Sequence, residues 1–417
     1  MSQPSNPSSV LIVGGGAAGI TVAAMLRKAR PGLKLSLVEP AESHYYQPAW
    51  TLVGGGAYAI DATRRPMAGL IPPGVDWIRA RVAGFDPVAS AVLLDDGRRL
   101  GYDQLVVAAG LQLDWQKIDG LGATLGQNGV SSNYRFDLAP YTWQCIKDLS
   151  GGSALFTQPA MPIKCAGAPQ KAMYLAADHF RRKGLKVDVS FHTPGPSMFG
   201  VPFYAKALSE VVANYGITPR YNHNLVAVDG PGRRAIFETG PADARNRVEF
   251  GFDFLHVVPP QSAPDFIKQS PIADASGWVA VDKYSLRHTQ HANLWGLGDC
   301  TTTPNSKTAA AVRAQAPVLV ANLLSAIDGR GETQRYDGYA SCPLTTSRGK
   351  IMLAEFLYDG VVAPSFAADP RIPRRRYWWL KKHYLPWLYW EQMLRGTPGP
   401  DWHRTRDYPE AVPPLIP

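Results

Sequence analysis

Four cysteines stand in the 417 residues, Cys145, Cys165, Cys300 and Cys342, too few for a disulfide scaffold. Cys165 follows Lys164 and lies just ahead of a helix predicted over roughly 168–183, with Pro169 in its first turn. A helix N-terminus and an adjacent lysine both favour the thiolate, the form that attacks disulfides and sulfane sulfur. Cys342 sits in a turn at 339–343. Taken alone, each cysteine reads equally as a small buried hydrophobe, and the residues leave that choice open. Any pair in so cysteine-poor a chain points to redox work ahead of structural bracing.

The elements around these thiols are built for a dinucleotide. An apolar strand at 10–13 runs into Gly14, Gly15, Gly16, Ala17, Ala18 and Gly19, then into a helix ending near residue 30. The next strand, 33–38, closes on Glu39, twenty positions after Gly19. Glycines between a strand and a helix, with an acidic residue ending the second strand, form a dinucleotide-binding unit. Gly14 permits the tight turn, Gly16 lets the backbone approach a pyrophosphate, Gly19 lets helix and strand pack, and Glu39 accepts the ribose hydroxyls. Two later strands end in small-residue turns, one at Ala109 and Gly110, the other at Gly298 and Asp299. This arrangement resembles the two-dinucleotide-binding flavoproteins. The resemblance implies FAD, with Asp299 at its ribityl chain and a helix beginning near Lys307 directed at the flavin ring. Gln47 and Val82 complete the expected cofactor contacts, and no metal is expected.

A second glycine turn is missing where NADH-dependent relatives carry one. The strand at 153–157 and the helix from 168 are present, but the turn between them holds Pro159, Pro162 and Cys165. Proline has no amide to donate and a fixed φ, so this turn suits a second pyrophosphate poorly. No nicotinamide nucleotide is expected.

At residues 161–171 and 336–345 the two cysteines lie in runs that resemble the redox-cysteine motifs of the sulfide:quinone oxidoreductases, in the two-cysteine branch that includes the mitochondrial enzyme. The likeness continues through 45–54, 298–311 and 388–396. It implies that hydrogen sulfide attacks a disulfide, or a sulfur-bridged form of it, joining Cys165 and Cys342. It also implies that Cys342 takes the sulfur as a persulfide. Cys165 is then released beside the flavin and passes two electrons through FAD to a membrane quinone, which the resemblance implies is ubiquinone. Sulfite, glutathione, sulfide or cyanide removes the sulfane sulfur. Quinone contacts have no motif; Phe356, Tyr358 and Tyr384 are candidates by position, and an apolar loop at 196–202 is a possible further wall. Cys300 and Cys145 carry no expected redox role. The rival readings are a type II NADH:quinone dehydrogenase and a non-catalytic flavin-bound sulfur carrier.

The charge is uneven. The formal net charge is +9, of which the stretch 371–395 carries +6 through seven Lys and Arg against Glu391. Four of the eleven tryptophans fall in it, and Pro386 interrupts it. Tryptophan and tyrosine favour the membrane–water interface and basic residues suit anionic headgroups, so two short helices meeting at Pro386 and lying in the interface are expected. Nucleic acid is not expected, since its binders spread their charge over a folded face. The stretch 1–9 has no Lys or Arg and fits no targeting segment, and no uninterrupted apolar window long enough for a spanning helix is found. The expected fold is α/β, with two Rossmann-like domains and a C-terminal amphipathic helical membrane-binding region. Residues 8–150 and 280–345 are assigned to the FAD domain, 151–279 to the second domain and 346–417 to the quinone and membrane region. The expected location is peripheral on a bacterial inner membrane, on the cytoplasmic side.

Overall fold

The computed structural model describes residues 9–241 and 243–413; residues 1–8 of the polar N-terminal stretch and 414–417 of the tail lie outside them. The strand Ser9–Val13 is buried along nearly its whole length, as a strand covered on both faces of a parallel sheet must be. It lies between Lys34–Val38 and Gln104–Val107, and the five-stranded sheet is completed by Val75–Ile78 and Leu294–Gly296 at its edges. Every pairing in it is parallel. The helices Ala17–Ala29 and Ala309–Ile327 pack together in the core over this sheet. The second of these is long and apolar enough to cross a membrane, although no uninterrupted apolar window was found for it; its buried residues belong to the core.

A second parallel sheet follows the order Val130–Ser131, Phe254–His256, Gly152–Thr157, Val187–Thr193 and Thr218–Tyr221. Val130–Ser131 falls inside the stretch expected for the first domain. It joins the second sheet because Val130 and Ser131 pair with Leu255 and His256, so the crossover between the two halves begins before residue 150. The strand Ala340–Ser347, paired antiparallel with Lys350–Phe356, then lies against the helix Ala168–Lys183.

Residues 375–395 form one helical run with no break at Pro386. Pro386 lacks an amide and its ring crowds the preceding turn; widened turns at Leu380–Tyr384 and Leu388–Gln392, on either side, relieve both demands. One face of the run is core: Tyr377, Tyr389, Trp390, Met393 and Leu394 are buried. Arg65 and Glu391 pair at 2.7 Å, and Tyr389 Oη lies 2.6 Å from His44 Nε2. Two of the seven basic residues turn inward, Arg371 against Asp369 and Phe203 and Lys381 toward the Pro48 carbonyl, so the exposed charge of this region is smaller than its sequence suggests.

Candidate active site

The glycine turn opens a cavity of about 520 Å³ that runs past Glu39 and Asp299 to Cys165 and on beneath the C-terminal helical run. Its wall includes Gly14, Gly15, Gly16, Ala17, Glu39, Gln47, Ala109, Gly110, Gly298, Asp299, Lys307 and Tyr384. Gly14 has φ 104°, a left-handed conformation that glycine adopts without cost. A methyl group on Gly19 would fall 1.8 Å from the Gly14 carbonyl oxygen, whereas one on Gly16 would meet nothing within 4 Å. Gly19 therefore serves packing, and Gly16 faces open cavity. Glu39 accepts hydrogen bonds from the amides of Gly15 (2.7 Å) and Ala41 (2.8 Å).

Val82 does not reach this cavity: it stands in the outer antiparallel strand Val82–Asp86, opposite Leu94. Phe356 and Tyr358 do not reach it either. Phe356 packs its ring against Phe199 at 5.9 Å, and Tyr358 donates to the Lys283 carbonyl at 2.7 Å with its ring edge-on to Tyr336. The alternation of the Lys350–Phe356 strand is the reason for the first. Residues directly opposite on antiparallel strands share a face, so Cys342 pairs with Ala354 on the core side, and Phe356, two residues on, lies on that side too.

Cys165 lines the cavity and meets Cys342, which lies behind it in the core, with Sγ atoms 3.8 Å apart. Gly167 makes this possible, because a methyl there would lie 2.5 Å from Cys342 Sγ. Cys165 has φ 48°, uncommon for a side-chain-bearing residue, and its backbone N–H donates a hydrogen bond to the Lys307 carbonyl at 2.8 Å. The cation on its sulfur is Lys171, with Nζ at 3.1 Å. Lys164, the expected partner, turns to Gln47 Oε1 at 2.5 Å. The hydrogen bond from Cys342 holds the Cys165 thiol well below the ordinary range; burial opposes this, and the charge and hydrogen bond of Lys171 reinforce it. Cys342, bonded to Cys165 and buried, is pushed well up. Burial lowers Lys164 to about 8 and Lys381 to about 7, the nearby Lys171 adding to the effect on Lys381.

Cys300 is buried behind Asp299, contacts the carbonyls of Val107 and Leu297 at 3.6 Å and is pushed up to about 11 by burial. Cys145 is half-buried in the helix Leu138–Asp148 and is also raised, by burial first.

Residues 8–316 match the model of the pyridine nucleotide-disulphide oxidoreductase family. A mitochondrial sulfide:quinone oxidoreductase from Mus musculus is 41% identical over 396 residues, 94% of this chain and 88% of the relative. That from Dictyostelium discoideum is 42% identical over 396 residues, 94% of this chain and 87% of the relative. The chain belongs to the sulfide:quinone oxidoreductase family. The solved sulfide:quinone oxidoreductase from the hyperthermophilic bacterium Aquifex aeolicus shares the fold, with a TM-score of 0.75 at 20% identity, covering 94% of this chain and 93% of that one. The mitochondrial relatives overturn the expectation of a bacterial inner membrane.

This sulfide:quinone oxidoreductase family member takes FAD as its cofactor, and its cavity fits the group. Beyond the open side of Gly16, both side-chain polar atoms of Asn133 and the hydroxyl of Thr51 are buried in the cavity wall without a partner. Buried polar groups are hydrogen-bonded as a rule, so these two are donors and acceptors awaiting a polar ring. The sequence gives them no role, nor Lys171, Gly167 and Lys381, although Thr51 falls in the run 45–54 and Gly167 and Lys171 in the run 161–171. Lys171 carries a signal of its own, as a charged residue amid the small and apolar residues of the first half of its helix.

Proposed function

We propose that this chain oxidises hydrogen sulfide through Cys165 and Cys342 and delivers the electrons by way of FAD to a membrane quinone. The observation that carries the reading is the inequality of the two thiols. Lys171 touches Cys165 Sγ at 3.1 Å, and Cys342 lies behind it in the core.

In the oxidised pair the sulfurs are joined. Hydrosulfide attacks the Cys342 sulfur, a new S–S bond forms, and the bond to Cys165 breaks with its electron pair staying on Cys165. Exchange is faster when the leaving thiol has the lower pKa, and the Cys165 thiol is the depressed one. Cys342 is left as the persulfide and Cys165 as a thiolate held by Lys171. Lys171 and Lys164 stand by Cys165 and Lys307 by Asp299, with Lys381 partly charged at about 7, a field that draws in an anionic nucleophile. An acceptor nucleophile such as sulfite, glutathione, sulfide or cyanide then takes the outer sulfur, freeing Cys342 as a thiolate. Loss of two electrons rejoins it to Cys165. FAD, when bound, supplies the two-electron carrier between these thiols and the quinone.

The quinone is assigned to the apolar end of the cavity, on the reverse side of the Cys342 strand. Ser341, Pro343 and Leu353 line it there, with Phe366, Leu380 and Tyr384 from the C-terminal region. Trp379, Trp387 and Trp402 are exposed to 59%, 48% and 51%, and Trp402 is itself part of the lining. Tryptophan at such positions favours the headgroup level of a membrane, which supports an interfacial surface through which quinone enters. The test is Cys165→Ser. FAD stays bound, and bleaching of its visible absorption by sulfide under anaerobic conditions is lost; retention of near-normal bleaching contradicts the proposal.

A further inference from the structure

The apolar end of the cavity holds one carboxylate. Among the described lining residues the acids are Glu39, Asp299 and Glu355; the first two belong to the cofactor end, and Glu355 stands beside Pro343 and Leu353. Its place follows from register. Glu355 is directly opposite Ser341, and Leu353 opposite Pro343, so these four share the cavity face while Cys342 and Ala354 share the other. Glu355 is buried. Its Oε1 accepts from Tyr339 Oη and from Ser365 Oγ, each at 2.6 Å, and its Oε2 accepts from the Ser365 amide at 2.9 Å.

A quinone that accepts two electrons also takes up two protons, and Glu355 is the one carboxyl group beside Pro343 and Leu353 among the described lining residues. We propose that Glu355 is the proton donor of the quinone end of the cavity. This rests on the assignment of that end to quinone. The carboxyl O–H bond breaks, the proton bonds to a quinone carbonyl oxygen, and Glu355 is left as a carboxylate. The electrons are those that sulfide oxidation delivers. Half-buried Ser365, already donating to Oε1, hands the carboxylate a replacement proton from water, and water at the open mouth beside exposed Trp402 gives the second.

Several polar and charged groups face Glu355. Tyr339 donates to it, and the Tyr204 hydroxyl bonds to its backbone at 3.0 Å and 3.1 Å. Arg313 stands 5.8 Å from the Tyr339 ring. His403 stacks on that ring at 4.2 Å and binds Asp337 at 2.7 Å. Tyr339 thus stands between the Glu355 carboxylate and a buried imidazole that is paired with the exposed Asp337.

The test separates the two half-reactions of the FAD-loaded protein in anaerobic stopped flow, with sulfide first and then a short-chain ubiquinone analogue, between pH 6 and 9. In Glu355→Gln, bleaching by sulfide is expected within about twofold of the unaltered protein. Reoxidation by the quinone analogue is expected to slow by on the order of 10²-fold, the usual worth of a positioned proton donor. Glu355→Asp, which keeps a carboxyl group, restores part of the rate. Reoxidation of Glu355→Gln at the unaltered rate, or no recovery in Glu355→Asp, overturns the proposal. If Glu355→Gln fails to hold FAD, Tyr339→Phe keeps the carboxylate and removes one of its partners; reoxidation is then expected to slow several-fold with bleaching by sulfide unchanged, and an unaltered rate overturns the proposal as well. Failure of sulfide to bleach the unaltered protein, or of quinone to reoxidise it, strikes the functional assignment instead.

Discussion

Lys171 Nζ lies 3.1 Å from Cys165 Sγ, while Lys164, the residue adjoining Cys165, points to Gln47. A hydrogen bond to a charged group contributes about 1.5–3 kcal/mol. Lys171→Met is therefore expected to raise the pH midpoint of Cys165 alkylation and to slow that reaction at neutral pH by about tenfold or more. Lys164→Met should leave the rate within about twofold. Iodoacetamide labelling of Cys165, followed by mass spectrometry, distinguishes them; equal effects from the two lysines contradict the assignment.

The glycines of the first turn separate packing from binding. Gly19→Ala places a methyl 1.8 Å from a backbone oxygen and is expected to prevent stable folding, seen as loss of a cooperative thermal transition. Gly16→Ala meets only open cavity, so the apoprotein should melt normally. Its affinity for FAD should fall about tenfold or more, roughly 1.4 kcal/mol, measured by quenching of flavin fluorescence.

Trp379 and Trp387 are exposed on the C-terminal run, and neither lines the cavity. Replacing both with serine is expected to reduce co-sedimentation with anionic vesicles several-fold and to leave turnover with a water-soluble quinone unchanged. Undiminished vesicle binding removes the membrane role from this surface.

His403 ties the tail to the body through Asp337, with Asp401 of the tail beside its other ring nitrogen. Burial lowers its pKa, but the bond to Asp337 and the charge of Asp401 outweigh it and leave the pKa raised. A raised value means that the stabilisation is full below about 6.5, the unfolded value, and is lost as pH rises through the folded one. Asp337, lowered by His403 against burial, loses its share as pH falls through its own folded value. Residues 398–406 should be most protected from hydrogen exchange between these limits and open on the alkaline side. His403→Gln should flatten that alkaline trend; the same trend in the variant excludes His403 as its source.

The first half of the fold was legible because Gly14, Gly16, Gly19 and Glu39 each answer a geometric demand that few other residues meet. The cysteine motifs singled out Cys165 and Cys342, whose sulfurs lie 3.8 Å apart, but gave no role to Lys171 at the end of the run 161–171. Lys164 was favoured by adjacency, whereas Cys165 in a left-handed conformation presents its sulfur to a residue one and a half helical turns on. Phe356 was misplaced for a related reason. Its strand was readable, but the side that faces the cavity is fixed by pairing with 340–347, and one position of difference exchanges Phe356 for Glu355. Pro386 misled because widened helical turns leave no local signature. Val82 reflected no physical signal beyond its position in the chain.

The most direct measurement is an anaerobic spectrophotometric titration of the FAD-loaded protein, with sulfide in one cell and NADH in another, each followed by a quinone analogue. Sulfide is expected to bleach the flavin and quinone to restore it, while NADH leaves the spectrum unchanged. Bleaching by NADH and none by sulfide would contradict the account, because electrons would then enter without the Cys165 and Cys342 pair.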